Sequence, residues 1–331
     1  MICSVQLISV VGPTGTGKSA LALELAQALG NCEIVNADAF SQYRGMDIGT
    51  AKIMPAERMG IPHHLIDNLD PLETSTIADF QVTGRMALAD IMARGKKPIV
   101  VGGSGLYVRA LLDEMDLPGT NAEVRAALQA RLEIAGLGAL YSELHTKDLE
   151  AAYRIGPHNA RRIIRALEVI AITGKPYSAS LPSEQYLYPT IAIGLDFNRA
   201  ALDARIDLRV ERMREQGLLD EVRGLASDSQ GGYGSGLGAT AARAIGYAEL
   251  LPVLRGEFAE DAAFTQIAAN TKRLTRKQMG WFGRDPRVTW LDGGSPDLLK
   301  QALSIVQQGG DTAAPSPRRR TPLGSISAAA N

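Results

Sequence analysis

Apolar residues along this chain fall into short unbroken runs separated by longer stretches with helical spacing. Val5–Val11, Glu33–Ala37, Lys97–Val101 and Thr190–Asp196 are short and apolar enough to be strands covered on both faces, the habit of a parallel sheet. Arg287–Leu291 reads as a last strand. Helices are predicted over Ala20–Leu29, Ile77–Ala93, Ala200–Gln216, Leu218–Ser227, Ala239–Leu254 and Glu260–Phe282. In the second of these, Thr76 or Ser75 is the cap, and Ile77, Phe80, Met86 and Ala87–Ile91 are the apolar positions. The alternation predicts an α/β fold with a parallel sheet core.

Between Pro118-Gly119 and the broken run Pro176–Pro189 the pattern becomes wholly helical, with segments at Ala122–Ala135, Gly138–Ala152 and Asn159–Thr173. This predicts a helical insertion that divides the core: 1–116 is its first part, 117–189 the insertion, and 190–308 the second part with a basic C-terminal helix. Gln230–Gly238 is rich in Gly, Ser and Tyr and is expected to be a mobile loop. Residues 309–331 have too few apolar positions to fold and are expected to be a disordered tail.

The first strand runs into Gly12-Pro13-Thr14-Gly15-Thr16-Gly17-Lys18-Ser19 and then a helix, the order a phosphate-binding loop requires. Its glycines let successive amides turn inward toward a phosphate chain, and the helix N-terminus adds to the attraction. Lys18 contributes a mobile cation, and the Ser19 hydroxyl can ligate Mg²⁺. A small molecule bearing a diphosphate is expected here; the motif does not say whether it is ATP. Asp38 follows the second strand, at the sheet edge where α/β folds place ligands, and can take a proton from a nucleophile or merely cap its loop. Ser104 sits among glycines at the end of the third strand, facing the same ligand or simply closing a turn. No carboxylate ends that strand, which disfavours a nucleotide-hydrolysing motor. Adjacent His63 and His64 cannot share one metal in most backbones, so zinc is disfavoured.

The composition narrows the partners. Net charge is −1, from 35 basic and 36 acidic residues, so affinity for a polyanion has to come from local clusters. Arg161, Arg162 and Arg165 form one cluster; Lys272, Arg273, Arg276, Lys277, Arg284 and Arg287 form another, interleaved with Gln278, Trp281 and Phe282. Basic residues mixed with aromatics suit an RNA backbone and unstacked bases, although the aromatics also fit a core-facing helix stripe. Cys3 and Cys32 lie beside strands and are expected to be buried free thiols, consistent with a reducing cytoplasm. The N-terminus enters the first strand without a charged leader, and no apolar stretch reaches about 18 residues, so secretion and membrane spanning are not expected.

Taken in order, G-P-T-G-T-G-K-S, N-A-D-A-F-S-Q-Y-R-G-M-D-I-G-T-A-K, I-P-H-H-L-I-D, V-V-G-G-S-G-L-Y, R-R-I-I-R-A-L-E-V, A-R-A-I-G-Y-A-E-L and T-K-R-L-T-R-K-Q-M-G-W-F-G-R-D resemble the bacterial tRNA dimethylallyltransferases, also called tRNA isopentenyltransferases, over about residues 5 to 293. The resemblance implies a P-loop-type core and transfer of the dimethylallyl group from dimethylallyl diphosphate to N6 of adenosine 37 in tRNA, with diphosphate released. It implies that the phosphate loop holds that donor with Mg²⁺, that Asp38 positions and deprotonates the amine, and that the adenine flips out of the anticodon loop. Lys18 and Ser104 join Asp38 as catalytic candidates. Relatives usually carry Thr at the Ser104 position and often Arg where Gly283 stands. By the same resemblance tRNA contacts are expected at Asp38, Ala39, Phe40, Ser41, Ser104, Arg125, Arg161, Arg162, Ile163, Ile164, Arg165, Arg276, Lys277, Gln278, Met279, Gly280, Trp281, Phe282 and Gly283. The insertion would clamp the anticodon stem, and the protein would act as a cytoplasmic monomer without a membrane or obligate protein partner. Three other readings compete: a small-molecule P-loop kinase, a prenyl transferase acting on free adenine nucleotides, and a non-enzymatic RNA-binding module.

Overall fold

A computed structural model describes residues 6–115, 117–180, 184–227 and 236–309. Expectations placed on Cys3, on 230–235 and on the tail past Gly309 lie outside these residues. The chain divides into two compact units, 1–111 with 188–331, and 112–187. The insertion thus begins and ends slightly earlier than its proline and glycine breaks suggest.

The larger unit is built on six parallel strands: β1 (Leu7–Val11), β2 (Cys32–Asn36), β3 (His63–His64), β4 (Lys97–Gly102), β5 (Thr190–Asp196) and β6 (Val288–Asp292). Their order across the sheet is β3-β2-β4-β1-β5-β6. β1, β4 and β5 are buried along nearly their whole length, which is why their sequences are continuous apolar runs rather than alternating ones. β3 is a two-residue edge strand with half-buried histidines, too short to leave a pattern.

The helices are α1 (Lys18–Leu29), α2 (Ile77–Ala93), α3 (Gly105–Leu112), α7 (Arg199–Glu215), α8 (Leu218–Ala226), α9 (Tyr247–Leu254), α10 (Glu260–Phe282) and α11 (Leu298–Gln307), with α4 (Ala122–Lys147), α5 (Leu149–Ile155) and α6 (Ala160–Thr173) in the insertion. Thr76 caps α2 by accepting from the Asp79 amide while the Thr76 amide donates to the Asp79 carboxylate. Met86, expected on its apolar face, is instead exposed; Phe80, Leu88 and Ile91 carry the burial. Ala239–Leu254 resolves into a 3-10 turn and the shorter α9. Leu21, Ala22, Leu25 and Ala26 of α1 and Ala302 and Val306 of α11 pack with Ile8, Val10, Ile99 and Ile193 of the sheet. α7, α8, α9 and α10 enclose a second core around Ile206, Val210, Met213, Tyr247, Leu250 and Ile267.

The smaller unit has its own core. Leu128, Leu140, Leu144, Ile163, Ile164 and Leu167 pack together, and Gly136, at φ 77°, kinks α4 where two helices were expected. Glu168 is buried among Arg125, Arg165 and the Asn121 amide, each within 3.0 Å, so one carboxylate joins the first turn of α4 to α6. The unit's ends pair with each other: the Leu187 amide donates to the Leu112 carbonyl at 2.8 Å, and Glu114 to Gln185 at 2.9 Å.

Candidate functional site

Register along the sheet determines where the phosphate loop emerges. Val11 of β1 is aligned with Gly102 of β4 on one side and Gly194 of β5 on the other. The chain leaving β1 therefore passes between two side-chain-free positions. Gly12, at φ 140°, runs so close to β5 that a Cβ would stand 2.7 Å from the Leu195 carbonyl oxygen. Gly17 takes the left-handed conformation as the cap of α1, with no side chain over the first-turn amides, which stay available to an anion. Thr16 holds the loop shut by donating its hydroxyl to the Pro13 carbonyl at 2.9 Å.

A cleft of about 460 Å³ lies over this loop. Of the loop, Thr14, Gly15, Gly17, Lys18 and Ser19 line the cleft, whereas Gly12, Pro13 and Thr16 do not. The Lys18 ammonium folds back onto the Pro13 carbonyl at 2.6 Å. Burial and the charge of Arg209 lower Lys18 to about 7, and only Asp38 works in the opposite direction.

Asp38 divides its carboxylate between two tasks. Oδ1 accepts the Phe40 amide at 2.9 Å and, more weakly, the amide and hydroxyl of Ser41, which curls the loop after β2. Oδ2 has no hydrogen-bond partner among the described residues, and the residue lines the cleft. Loop cap and candidate base are one side chain. Ser104 has a different place: its carbonyl accepts the Val108 amide at the start of α3, and the residue does not line the cleft, whereas Gly102 and Gly103 do.

The cleft's remaining cations were not singled out from the sequence. Arg205, Arg209 and Arg212 lie on the face of α7 turned to the loop, and Arg209 reaches the Thr14 hydroxyl at 3.4 Å. Their spacing is legible in the sequence, but on a polar helix it looks like a solvated face. Lys52, buried, also lines the cleft, with its charge committed to Asp47 and Asp67 at 2.6 Å each. Gln278 was expected to touch RNA; its Oε1 accepts the Thr14 amide at 2.9 Å and so ties α10 to the phosphate loop.

A second, smaller cavity of about 180 Å³ adjoins the first, sharing Thr14, Asp38, Thr50 and Arg209 with it. Its wall is mostly apolar, from Phe40, Val210, Met213, Ile267 and Leu274, with the Thr271 hydroxyl bonded to the Ile267 carbonyl.

The predicted RNA contacts separate by exposure. Ile163 and Ile164 are core residues of the insertion, 0 % and 7 % exposed, and Met279 and Phe282 are buried at 6 % and 3 %; their side chains are not available to RNA. The helix period that brings arginines to one face of α6 turns the two isoleucines inward. Arg161, Arg162, Lys277, Gly280 and Gly283 are exposed. Arg125 and Arg165 are committed to Glu168, and Arg165 also donates to the carbonyls of Pro118 and Gly119. Arg276 pairs with Asp203 at 3.0 Å and Lys272 with Asp207, so acids on α7 answer part of the basic stripe of α10. Trp281 is 38 % exposed, lies against Gly105 and carries the Arg109 guanidinium over its ring at 4.6 Å.

Comparison with known proteins adds a separate line. The sequence model described as IPP transferase matches residues 41–285. The chain is 51% identical over 305 residues to a tRNA dimethylallyltransferase of Bifidobacterium longum, spanning 91% of this chain and 90% of that protein. It is 50% identical over 312 residues to the tRNA dimethylallyltransferase of Kineococcus radiotolerans, spanning 92% and 97%. Among solved structures it is similar to the full-length tRNA isopentenylpyrophosphate transferase of Bacillus halodurans, with a TM-score of 0.67 and 36% identity over 93% of this chain and 97% of that one. A eukaryotic dimethylallyltransferase acting on tRNA gives a TM-score of 0.76 at 27% identity, over 91% and 78%. With about half of its residues shared over nine-tenths of its length, and a family model spanning most of it, the chain belongs to the IPP transferase family.

Proposed function

We propose that this protein is a tRNA dimethylallyltransferase that moves the five-carbon group of dimethylallyl diphosphate onto N6 of adenosine 37 in tRNA. The carrying observation is the juxtaposition of a phosphate loop, a stripe of arginines and one carboxylate with a free oxygen, all lining one cleft. The names of relatives at half identity support it.

The donor's diphosphate rests on the loop amides, Lys18 and Arg209. As the C1–O bond breaks, negative charge grows on the departing diphosphate, and these fixed donors stabilise it. The exocyclic amine attacks C1, the N6–C1 bond forms, and the amine's proton passes to Oδ2 of Asp38. The exposed Ser19 hydroxyl and the donor's phosphate oxygens are a fitting ligand set for Mg²⁺, which retains several waters; bound there, it would neutralise the leaving group further. An adenine stacked in the anticodon loop cannot reach the cleft, so the base is flipped out. Exposed Arg161, Arg162, Lys277 and Arg284 suit the phosphates of the anticodon stem-loop. The protein works as a monomer in the cytoplasm, where its RNA substrate is; no helix among the described residues is long and apolar enough to cross a membrane.

The test is to incubate the protein with labelled dimethylallyl diphosphate, Mg²⁺ and either unmodified tRNA or free AMP. Label is expected in tRNA. Label in AMP alone would make it a free-nucleotide prenyl transferase, and ATP hydrolysis without label transfer would reject the reading.

A further inference from the structure

We propose that Glu221 is a positioning residue: it fixes the segment 47–51 as one wall of the cleft, and through that wall it sets the geometry of the transfer. The proposal rests on the reaction given above and adds to it a residue that lines neither cavity.

Two motifs of the sequence, D-I-G-T-A-K at 47–52 and A-R-A-I-G-Y-A-E-L at 242–250, meet at Glu221 on α8. Its Oε2 accepts the amides of Asp47 at 3.0 Å and Ile48 at 2.7 Å, and its Oε1 accepts the Gly49 amide at 3.1 Å. Oε1 also accepts the Tyr247 hydroxyl. Four donors converge on one carboxylate, and bonds to a charged acceptor are roughly twice as strong as neutral ones. Burial and the charge of Glu221 hold the Tyr247 phenol above its ordinary range, so it stays a donor. Tyr247 is fully buried, and its ring leaves no room for a Cβ on Gly49, so the segment meets α9 backbone against ring. Glu249 carries the connection to α10 by accepting the Gly246 amide and the Asn270 side-chain amide at 2.7 Å each.

What this hold locates is Thr50 and Ala51. Both line the cleft, and Thr50 stands with Asp38 and Arg209 on the margin shared by the two cavities. Beyond them the Lys52 ammonium secures the other end, on the Tyr43 carbonyl at 2.7 Å and the Asp47 carboxylate at 2.6 Å. Between the two holds Ala51 has a φ of 48°, a left-handed conformation that an L residue keeps only where its surroundings impose it. Transfer needs the amine, C1 and the departing oxygen in line, and a misplacement of about 1 Å can cost about 100-fold in rate. The phosphate loop is held separately, by Thr16 and Gln278, so freeing the wall spares the grip on diphosphate.

The experiment compares the unaltered protein with Glu221→Ala and Glu221→Gln. Hydrogen exchange followed by mass spectrometry reads the wall directly: the amides of Asp47, Ile48 and Gly49 should exchange at least about tenfold faster in Glu221→Ala, with segment 12–19 unchanged. Calorimetric titration with inorganic diphosphate counts the folded sites, and its affinity should stay within about twofold. Per site so counted, kcat for transfer of the five-carbon group to tRNA should fall at least about tenfold, and less in Glu221→Gln, which keeps one oxygen acceptor. A residue that only stabilised the fold would lower the melting temperature and leave kcat per site where it was. That result, or unchanged exchange at 47–49, overturns the proposal. So does a loss of diphosphate affinity in step with kcat, which would move the effect to the phosphate loop. Should Glu221→Ala fail to fold, Tyr247→Phe removes one donor of the four and should shift exchange and kcat in the same directions by about threefold; no shift in either overturns the proposal equally. Absence of transfer by the unaltered protein would count against the proposed function, whereas the exchange comparison would still decide whether Glu221 fixes the wall.

Discussion

Burial beside Arg209 draws the Lys18 ammonium down to about 7, so the free protein carries this charge only partly at neutral pH. A diphosphate brings negative charge to the same place and restores the proton. Binding of inorganic diphosphate should therefore be accompanied by proton uptake between about pH 7 and 9. Calorimetry in two buffers of different ionisation enthalpy should detect that uptake, and Lys18→Met should lose it. The sign for folding follows from the same shift. Below about pH 7 both folded and unfolded chains hold the proton; from there to the ordinary lysine value of 10.5 the unfolded chain holds more, so this group makes the unliganded fold more stable as pH rises. Asp38 supports a sharper distinction, because its two oxygens have separate duties. Asp38→Asn keeps an Oδ1 acceptor for the Phe40 amide and removes the base: kcat should fall by about 10² or more with the melting temperature unchanged. Asp38→Ala should lose the same activity and about 1 kcal/mol of stability with the cap. An Asp38→Asn protein with full turnover would take Asp38 out of the proton transfer.

At the scale of elements, α7 and α10 act together. Arg276 and Lys272 are held by Asp203 and Asp207, so the basic helix shows RNA less charge than its sequence suggests. Removing one acid should release one cation: Asp203→Ala is expected to tighten tRNA binding at low salt and steepen the slope of log affinity against log salt by about one. Filter binding across a salt series would measure it, and an unaltered slope would mean that Arg276 meets no phosphate. The same pair of helices indicates what could be read in advance. The strand at Thr190–Asp196 and the helices at Ile77–Ala93 and Glu260–Phe282 were legible to the residue, because an apolar run, a Thr76 cap and acidic residues opening α10 mark them. The phosphate loop and Asp38 were legible from local order alone. Arg209 and the loop-holding role of Gln278 were not, since each acquires its meaning from a partner about 195 or 264 positions away. α11 and the two-residue β3 escaped notice as well: one follows a Gly-Gly-Ser-Pro turn late in the chain, and the other is too short for any periodicity.

For the whole molecule, the smaller unit begins and ends at neighbouring points, Leu112 and Leu187. A segment whose ends already meet can be removed without stretching what remains. Replacing 113–186 by a short Gly/Ser linker should therefore leave a folded sheet unit that still binds inorganic diphosphate, while tRNA affinity falls at least tenfold. Loss of diphosphate binding in that shortened protein would show that the larger unit depends on the smaller for its fold.

The register of β1 has a consequence for how the protein is made. Its partners are β4 on one side and β5, which begins at Thr190, on the other, and the loop that follows it is tied to Gln278. A ribosome delivers the phosphate motif before β5, which begins at Thr190, and before the glutamine at position 278 that steadies the loop. The nascent chain thus carries a recognisable motif long before it possesses a binding site, and competence for the donor should appear in a single late step once α10 has cleared the exit tunnel.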